Sequence, residues 1–439
     1  MALKESYDYI VLGAGLSGLS SGYQLQKQQA DFAILECDSR AGGVIKSEFI
    51  DGLMVEHGAN SLVMTPAIEM LCESLGISEE IIPAMEQSNI RQILWDDQLH
   101  TLKASPLTLL TTKLISTGAK LRILKEPFIK SISPEGESVL DFFTRRFGKQ
   151  VAQRMAGAIV SGIYAGNAAD LEIAAVFPRF VELEKKYGSL LLGLKNSPSA
   201  PRKIVTFKNG VETLTHSLAQ KLTSHLHFNC TIKSVKRKES LWEINLSEGK
   251  TITSKNILST LPAYALEKCL IDDQFPVRSI NYNPMLTLQV RLDYQELKDK
   301  TQGFGFLASS YERDDFIGVM FNGNTFPTAI NGNKTLINFF VRPDHCPQIE
   351  PQDIFEQLCV PLFRKWTGIN GTLDLIHSRM WNQAIPQKTT GHSHWLALVK
   401  NWESQNSNFK TLGNFINGVS LGDCFEQSAA ETVLFCTQK

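Results

Sequence analysis

Apolar residues in this chain fall in short clusters whose spacing changes from segment to segment, and the spacing predicts the elements. Tyr9, Ile10, Val11 and Leu12 are consecutive and run into glycines, the pattern of a short strand buried on both faces. Leu16, Leu19, Tyr23 and Leu25 then recur at helical period, and DFAILE predicts a second strand ending at Glu36. TFKNGVETLTHSLAQKL (206–222) predicts a glycine turn followed by a helix, and residues 227–266 alternate as three period-2 strands closed by NILSTLPA. At the far end, LGNFINGVSLGDCFEQSAAETVLFC pairs a glycine-rich strand end with a terminal helix, which Asp423 is expected to cap. SPLTLLTTKLISTGAKLRILKEPF (105–128) interleaves leucines with Lys113, Lys120, Arg122 and Lys125. That pattern suits a helix pair on a membrane surface and equally a core-facing helix with a solvated back.

Composition narrows the picture. A length of 439 residues fits two or three domains, and 44 Lys plus Arg against 45 Asp plus Glu leave no net field to hold nucleic acid. The residues ahead of the first strand, MALKESYD, carry neither a secretory nor an arginine-rich presequence pattern, and no run reaches about 18 apolar residues. A cytoplasmic location is expected. The eight cysteines show no CxxC pair or framework spacing and are expected as reduced, buried thiols. His225/His227 and His392/His394 have the spacing of one strand face, but no cysteine or acid completes a metal set with either pair, and no metal is expected.

The chemistry begins at the first turn. Gly13, Gly15 and Gly18 form GxGxxG between a strand and a helix: one for the turn, one for close approach to a pyrophosphate, one for helix packing. The turn residues Ala14, Leu16 and Ser17 then offer backbone amides at a helix N-terminus. Glu36, followed by Cys37, ends the second strand where a carboxylate accepts hydrogen bonds from an adenosine ribose and disfavours a 2′-phosphate. This much specifies a dinucleotide and leaves NAD and FAD both open.

The continuation CDSRAGGVIKSE, with Arg40, Gly42 and Gly43, resembles the extended FAD fingerprint of the amine oxidase and phytoene desaturase superfamily. The resemblance implies that this segment follows the pyrophosphate and ribityl chain, with Arg40 neutralising phosphate. It also implies that DGLMVEHGANSL brings Gly58, Ala59 and Asn60 towards the flavin ring, and that Val235 touches adenine. Trp381, Gly413, Gly418, Val419 and Ser420 become flavin neighbours on the same grounds.

Within that superfamily, SGIYAGNAADLEIAAVFPRFVELEKKYGSLLLG (161–193), RRFG (145–148), QGFGFL (302–307) and WNQAIPQKTTGH (381–392) resemble the protoporphyrinogen oxidase family, although Glu172 and Ile173 depart from its usual ending. The resemblance spans nearly the whole chain. It implies an α/β fold with three parts: a Rossmann-like, GR2-type FAD-binding domain (1–86, 204–270 and 411–439), a helical insertion (87–203) and a mixed-sheet substrate domain (271–410). The implied reaction is haem-pathway oxidation of protoporphyrinogen IX to protoporphyrin IX. Six electrons leave as three hydrides from meso carbons to one FAD, with oxygen as acceptor. No side chain is required as catalyst, and the protein's task is orientation and electrostatics.

A large apolar macrocycle with carboxylates at one edge calls for an aliphatic and aromatic slot with a cation. The resemblance assigns the cation to Arg91 and the slot to Gly303, Gly305, Leu307, Met320 and Phe340. Arg342 and Pro343 stand where many members carry two glycines, which alters the pocket and offers a second carboxylate partner. Peripheral membrane contact and hand-over of product to the next haem-pathway enzyme are further implications; the oligomeric state is left open. Coproporphyrinogen III oxidation, and another FAD amine oxidase or desaturase activity, remain alternatives at this stage.

Overall fold

The computed structural model describes residues 3–102, 111–197, 203–272, 274–276, 280–347, 350–416 and 418–437. Two large sheets organise it. In the first, Ser6–Leu12 lies parallel between Phe32–Leu35 and Thr251–Ser259, with Leu12 paired to both Leu35 and Ser259. Leu226–His227 extends one edge in parallel, and Phe409–Thr411 pairs in parallel with the last residues of Thr251–Ser259. The first residues of that strand instead begin an antiparallel ribbon through Leu241–Leu246 and Ile232–Lys238. Both faces are covered, as a parallel sheet requires. Helices Leu16–Lys27, Glu212–Lys221 and Leu421–Thr437 pack on one side, and Trp242, Trp395 and Trp402 fill the other.

The chain ends meet here. Ser20 Oγ donates to the Phe425 carbonyl at 2.8 Å and Thr432 Oγ1 to Ser21 Oγ at 3.0 Å, locking the first helix to the last.

The second sheet runs in the order Asp374–Pro386, Tyr282–Asp293, Lys334–Val341, Phe316–Met320, Gly305–Ala308, Arg91–Trp95, Gln98–Leu102. Ile337, Phe339 and Val341 point into a core closed by Phe355 and Phe363, so by alternation Asn338 and Phe340 face the other way. Residues 91–102, expected within the helical insertion, are instead a hairpin that joins this sheet by parallel pairing of Arg91–Trp95 with Gly305–Ala308. Its alternating apolar residues bury Leu94 in the sheet core and Ile93 on the opposite face.

Helices from 117 to 196 form a third body around Phe142, Val160 and Leu190. The RRFG run explains itself there. Arg146 is fully buried between Glu126 and Glu184, and Arg145 contacts Glu137 and Glu184. Residues 105–110 of the expected surface helix pair lie outside the described residues; the rest contains the helix Thr117–Leu124 and the turn Glu126–Phe128. His392 and His394 do not share a strand face: they begin the helix His392–Gln405, because the turn Thr389–Gly391 precedes them. None of the eight cysteines is in a disulfide, but Cys37 is exposed and Cys346 and Cys436 are only partly buried.

Candidate functional site

The glycine turn is built by contacts no other residue type permits. Gly13 has φ +94°, and a Cβ on Gly18 would stand 1.9 Å from the Gly13 carbonyl oxygen. Gly18 therefore closes the helix onto the turn. Gly15 begins the helix Leu16–Lys27 without any side-chain cap, and a Cβ there would meet nothing within 4 Å. First-turn amides thus face open space, the arrangement that receives phosphate. Glu36 Oε2 accepts from Ala14 N at 2.7 Å and Oε1 from Asp38 N at 3.0 Å, so this buried carboxylate also shapes the turn.

The RxGG segment crosses over that turn: Gly42 N donates to the Ala14 carbonyl at 2.8 Å, and a Cβ on Gly43 would sit 3.2 Å from Gly15 Cα. Arg40 clamps the segment, donating to the carbonyls of Gly43 and Ile45 at 2.6 and 2.9 Å and to Glu212 at 3.2 Å. Its charge is shared with Glu212. Between these pieces runs a cavity of about 780 Å³, within the span of roughly 300–1,000 Å³ usual for ligand sites. Its lining includes Gly13, Gly15, Leu16, Ser17, Glu36 and Cys37 from the turn and second strand, Arg40 and Gly43 from the crossing segment, and Trp381, Gly413 and Val419 from the far part of the chain. The volume and this lining suit an extended dinucleotide, whose phosphate would lie over the helix N-terminus and whose ribose would lie beside Glu36.

Several of the expected residues have structural contacts of their own. Val235 is fully buried in the sheet, while Cys230, Thr231 and Ile232 reach the cavity. Asp423 does not cap the terminal helix; Ser420 Oγ accepts from Asp423 N at 3.1 Å, because the helix starts at Leu421. Gly418 lies against Asp423, where a Cβ would be 2.1 Å from its carboxylate. Gly58 lets its strand end approach Val44, whose carbonyl would be 2.3 Å from a Cβ. Neighbouring Ala59 is partly buried.

The second sheet carries the other half of the site. Leu307, Gly318, Phe340, Thr287 and Arg379 are successive cross-strand neighbours, and Gly305, Met320, Asn338, Gln289 and His377 form the next row. Period 2 puts both rows on one face, together with Ile93, the partner of Leu307, and Arg91 two residues before it. Gly305 (φ +140°) must be glycine, since a Cβ would lie 2.0 Å from the Val319 carbonyl; Gly303 (φ +81°) packs against Ile90.

Arg91 is half-buried with its guanidinium 4.3 Å over the Phe304 ring, and among the described residues it has no acidic partner. Burial pulls its pKa below the ordinary arginine value. An incoming carboxylate relieves that desolvation.

This face is tied directly to the segment that leaves the cavity. Gln289 Nε2 donates to the Glu56 carbonyl at 3.0 Å, Trp381 Nε1 to the His57 carbonyl at 3.2 Å, and the Asn338 amide to Asn60 Oδ1. Arg379 and Trp381 sit on the sheet face and line the cavity as well. Sequence reasoning missed Arg379, His57 and Lys46, which all line it; the Arg379/Trp381 spacing at period 2 was the available signal. Lys388, buried beside Asp423 and Cys424 at the terminal helix, was also missed, and burial pulls its ammonium down to about 8.

Residues 16–432 match the family described as flavin containing amine oxidoreductase. The chain is 26% identical to protoporphyrinogen oxidase 1, chloroplastic, of Spinacia oleracea, over 98% of this chain and 85% of that protein. It is 23% identical to coproporphyrinogen III oxidase of Bacillus subtilis, over 96% of each. A crystal structure of a protein from Exiguobacterium sp. 255-15 superposes with a TM-score of 0.81 over 100% of both chains, at 20% identity. The chain belongs to the flavin-containing amine oxidoreductases, with the FAD site that membership implies.

Proposed function

We propose that this chain oxidises a porphyrinogen to a porphyrin, with protoporphyrinogen IX as the substrate and oxygen as the acceptor. The observation that carries the reading is the shared face described above. Arg91, Gly305, Leu307, Met320 and Phe340, five of the six residues assigned to substrate by resemblance, lie on the side of the sheet whose Arg379 and Trp381 also border the dinucleotide cavity.

Bound FAD would supply hydride acceptance. The chain's own residues do the rest. Arg91 pairs with a propionate, Leu307, Met320 and Phe340 supply apolar surface, and the glycines let the macrocycle pass close to backbone. Amides at the start of the terminal helix favour negative charge near its N-terminus.

Coproporphyrinogen III is the second reading, and Arg342 favours it. This residue continues the Asn338–Phe340 face, is 5% exposed, and its Nε is buried without a hydrogen bond among the described residues, although its terminal nitrogens reach Gly166 O at 2.7 Å and Asp314 at 3.3 Å. A second cation suits a substrate with more propionates. Rates of porphyrin fluorescence from the two porphyrinogens, measured side by side on the flavin-loaded protein, decide between them; no fluorescence from either defeats both.

Peripheral membrane contact belongs to the same proposal. No helix among the described residues is long and apolar enough to cross a membrane. Leu121, Leu124 and Phe128, the last 82% exposed, stand beside Lys120, Arg122 and Lys125, as an interfacial surface would. Cosedimentation with anionic vesicles, lost in Phe128→Ser, tests this.

A further inference from the structure

Where the hairpin Ser47–Ile50/Leu53–Glu56 meets the second sheet, side chains from three separate stretches converge outside the substrate assignments. One donor atom from each of Glu48, His57 and His377 lies within 4.8 Å of the other two. Glu48 Oε1 is 2.9 Å from His57 Nε2, an ion-pair contact, and His57 Nε2 has no other polar partner among the described residues. His377 Nε2 is buried and likewise without a hydrogen-bond partner among the described residues. The two imidazoles are tilted by 57° with centroids 4.3 Å apart rather than stacked flat. Two imidazoles and one carboxylate facing a common point form the donor set of zinc-like ions.

We propose that Glu48, His57 and His377 bind one first-row transition-metal dication of the zinc class, clipping the hairpin to the second sheet. His57 comes from the end of the hairpin and His377 from the strand Asp374–Pro386, so the ion joins elements more than 300 residues apart in sequence. Lys46 Nζ takes the other carboxylate oxygen of Glu48 at 3.1 Å, leaving Oε1 to the metal. Lys46 and Arg379 both add positive charge here, against the single carboxylate of Glu48. That charge weakens the binding of any dication, so the donor set decides the ion: two imidazole nitrogens and one carboxylate oxygen suit zinc-class ions and not calcium or magnesium, which need several oxygen ligands. His57 is 5% exposed and borders the dinucleotide cavity, so any fourth position opens towards it.

The test uses flavin-loaded protein, stripped with chelator, dialysed and titrated calorimetrically with Zn²⁺, with retained zinc counted after gel filtration. One equivalent per chain is expected, with no heat from Ca²⁺ or Mg²⁺. Affinity falls by about tenfold or more in both His377→Gln and Glu48→Gln, while unchanged flavin content shows that the fold persists. His394→Ala, at an exposed helix position, leaves binding unaltered. Absence of zinc binding, binding that survives both ligand substitutions, or binding lost with His394→Ala overturns the proposal. None of these outcomes depends on which substrate the enzyme oxidises.

Discussion

Glu56→Gln separates the charge of the hairpin end from its architecture. Glu56 is 5% exposed; its carboxylate accepts from Ser47 Oγ at 2.6 Å and Val211 N at 2.8 Å, tying the hairpin to the glycine turn at 210. Burial, with repulsion from Glu212, raises its pKa from the ordinary 4.5 to about 7 despite those two hydrogen bonds. That rise corresponds to about 3 kcal/mol between the protonation states. Between pH 4.5 and about 7 the folded chain keeps a proton that the unfolded chain has released, so this group makes stability fall as pH rises. The penalty is absent below the lower value and complete above the higher one. Glutamine keeps the size and the acceptor for Val211 N but cannot ionise. Urea unfolding of both proteins across this range is the assay, read as the difference between them so that other titrating groups cancel. The variant should gain on the wild type by up to about 3 kcal/mol as pH rises. A difference that is flat with pH, or that shrinks as pH rises, refutes the reasoning.

Three other outcomes follow from the geometry. Arg91→Ala should raise KM for the porphyrinogen about tenfold or more, the worth of a charge-assisted hydrogen bond, with flavin content unchanged; loss of flavin would contradict its place on the substrate face. Gly18→Ala forces a methyl to within 1.9 Å of the Gly13 carbonyl oxygen; it should cost about 1–3 kcal/mol and lower the flavin retained on desalting, read by absorbance. Arg146→Met leaves Glu126 buried without its guanidinium and weakens the hold on Glu184, so the thermal midpoint should drop by the equivalent of about 3–5 kcal/mol; an unchanged midpoint would show that the buried network adds nothing.

Local pattern alone determined the dinucleotide half of this protein. The strand, glycine turn and helix at 6–27, the acid at 36 and the ribbon at 232–259 are all short-range structures, set by hydrophobic period and by glycines whose backbone angles other residues resist. What the chain order could not express was register. Val235 is buried within the sheet while Thr231, just ahead of its strand, lines the cavity, and the capping role of Ser420 depends on where the final helix begins. The pairing of Arg91–Trp95 with Gly305–Ala308, and the meeting of His57 with His377, join segments hundreds of residues apart. Cross-strand alignment decides which side chains share a face, and a slip of one residue reverses that choice, so only the folded sheets settle which of the candidate residues stand together.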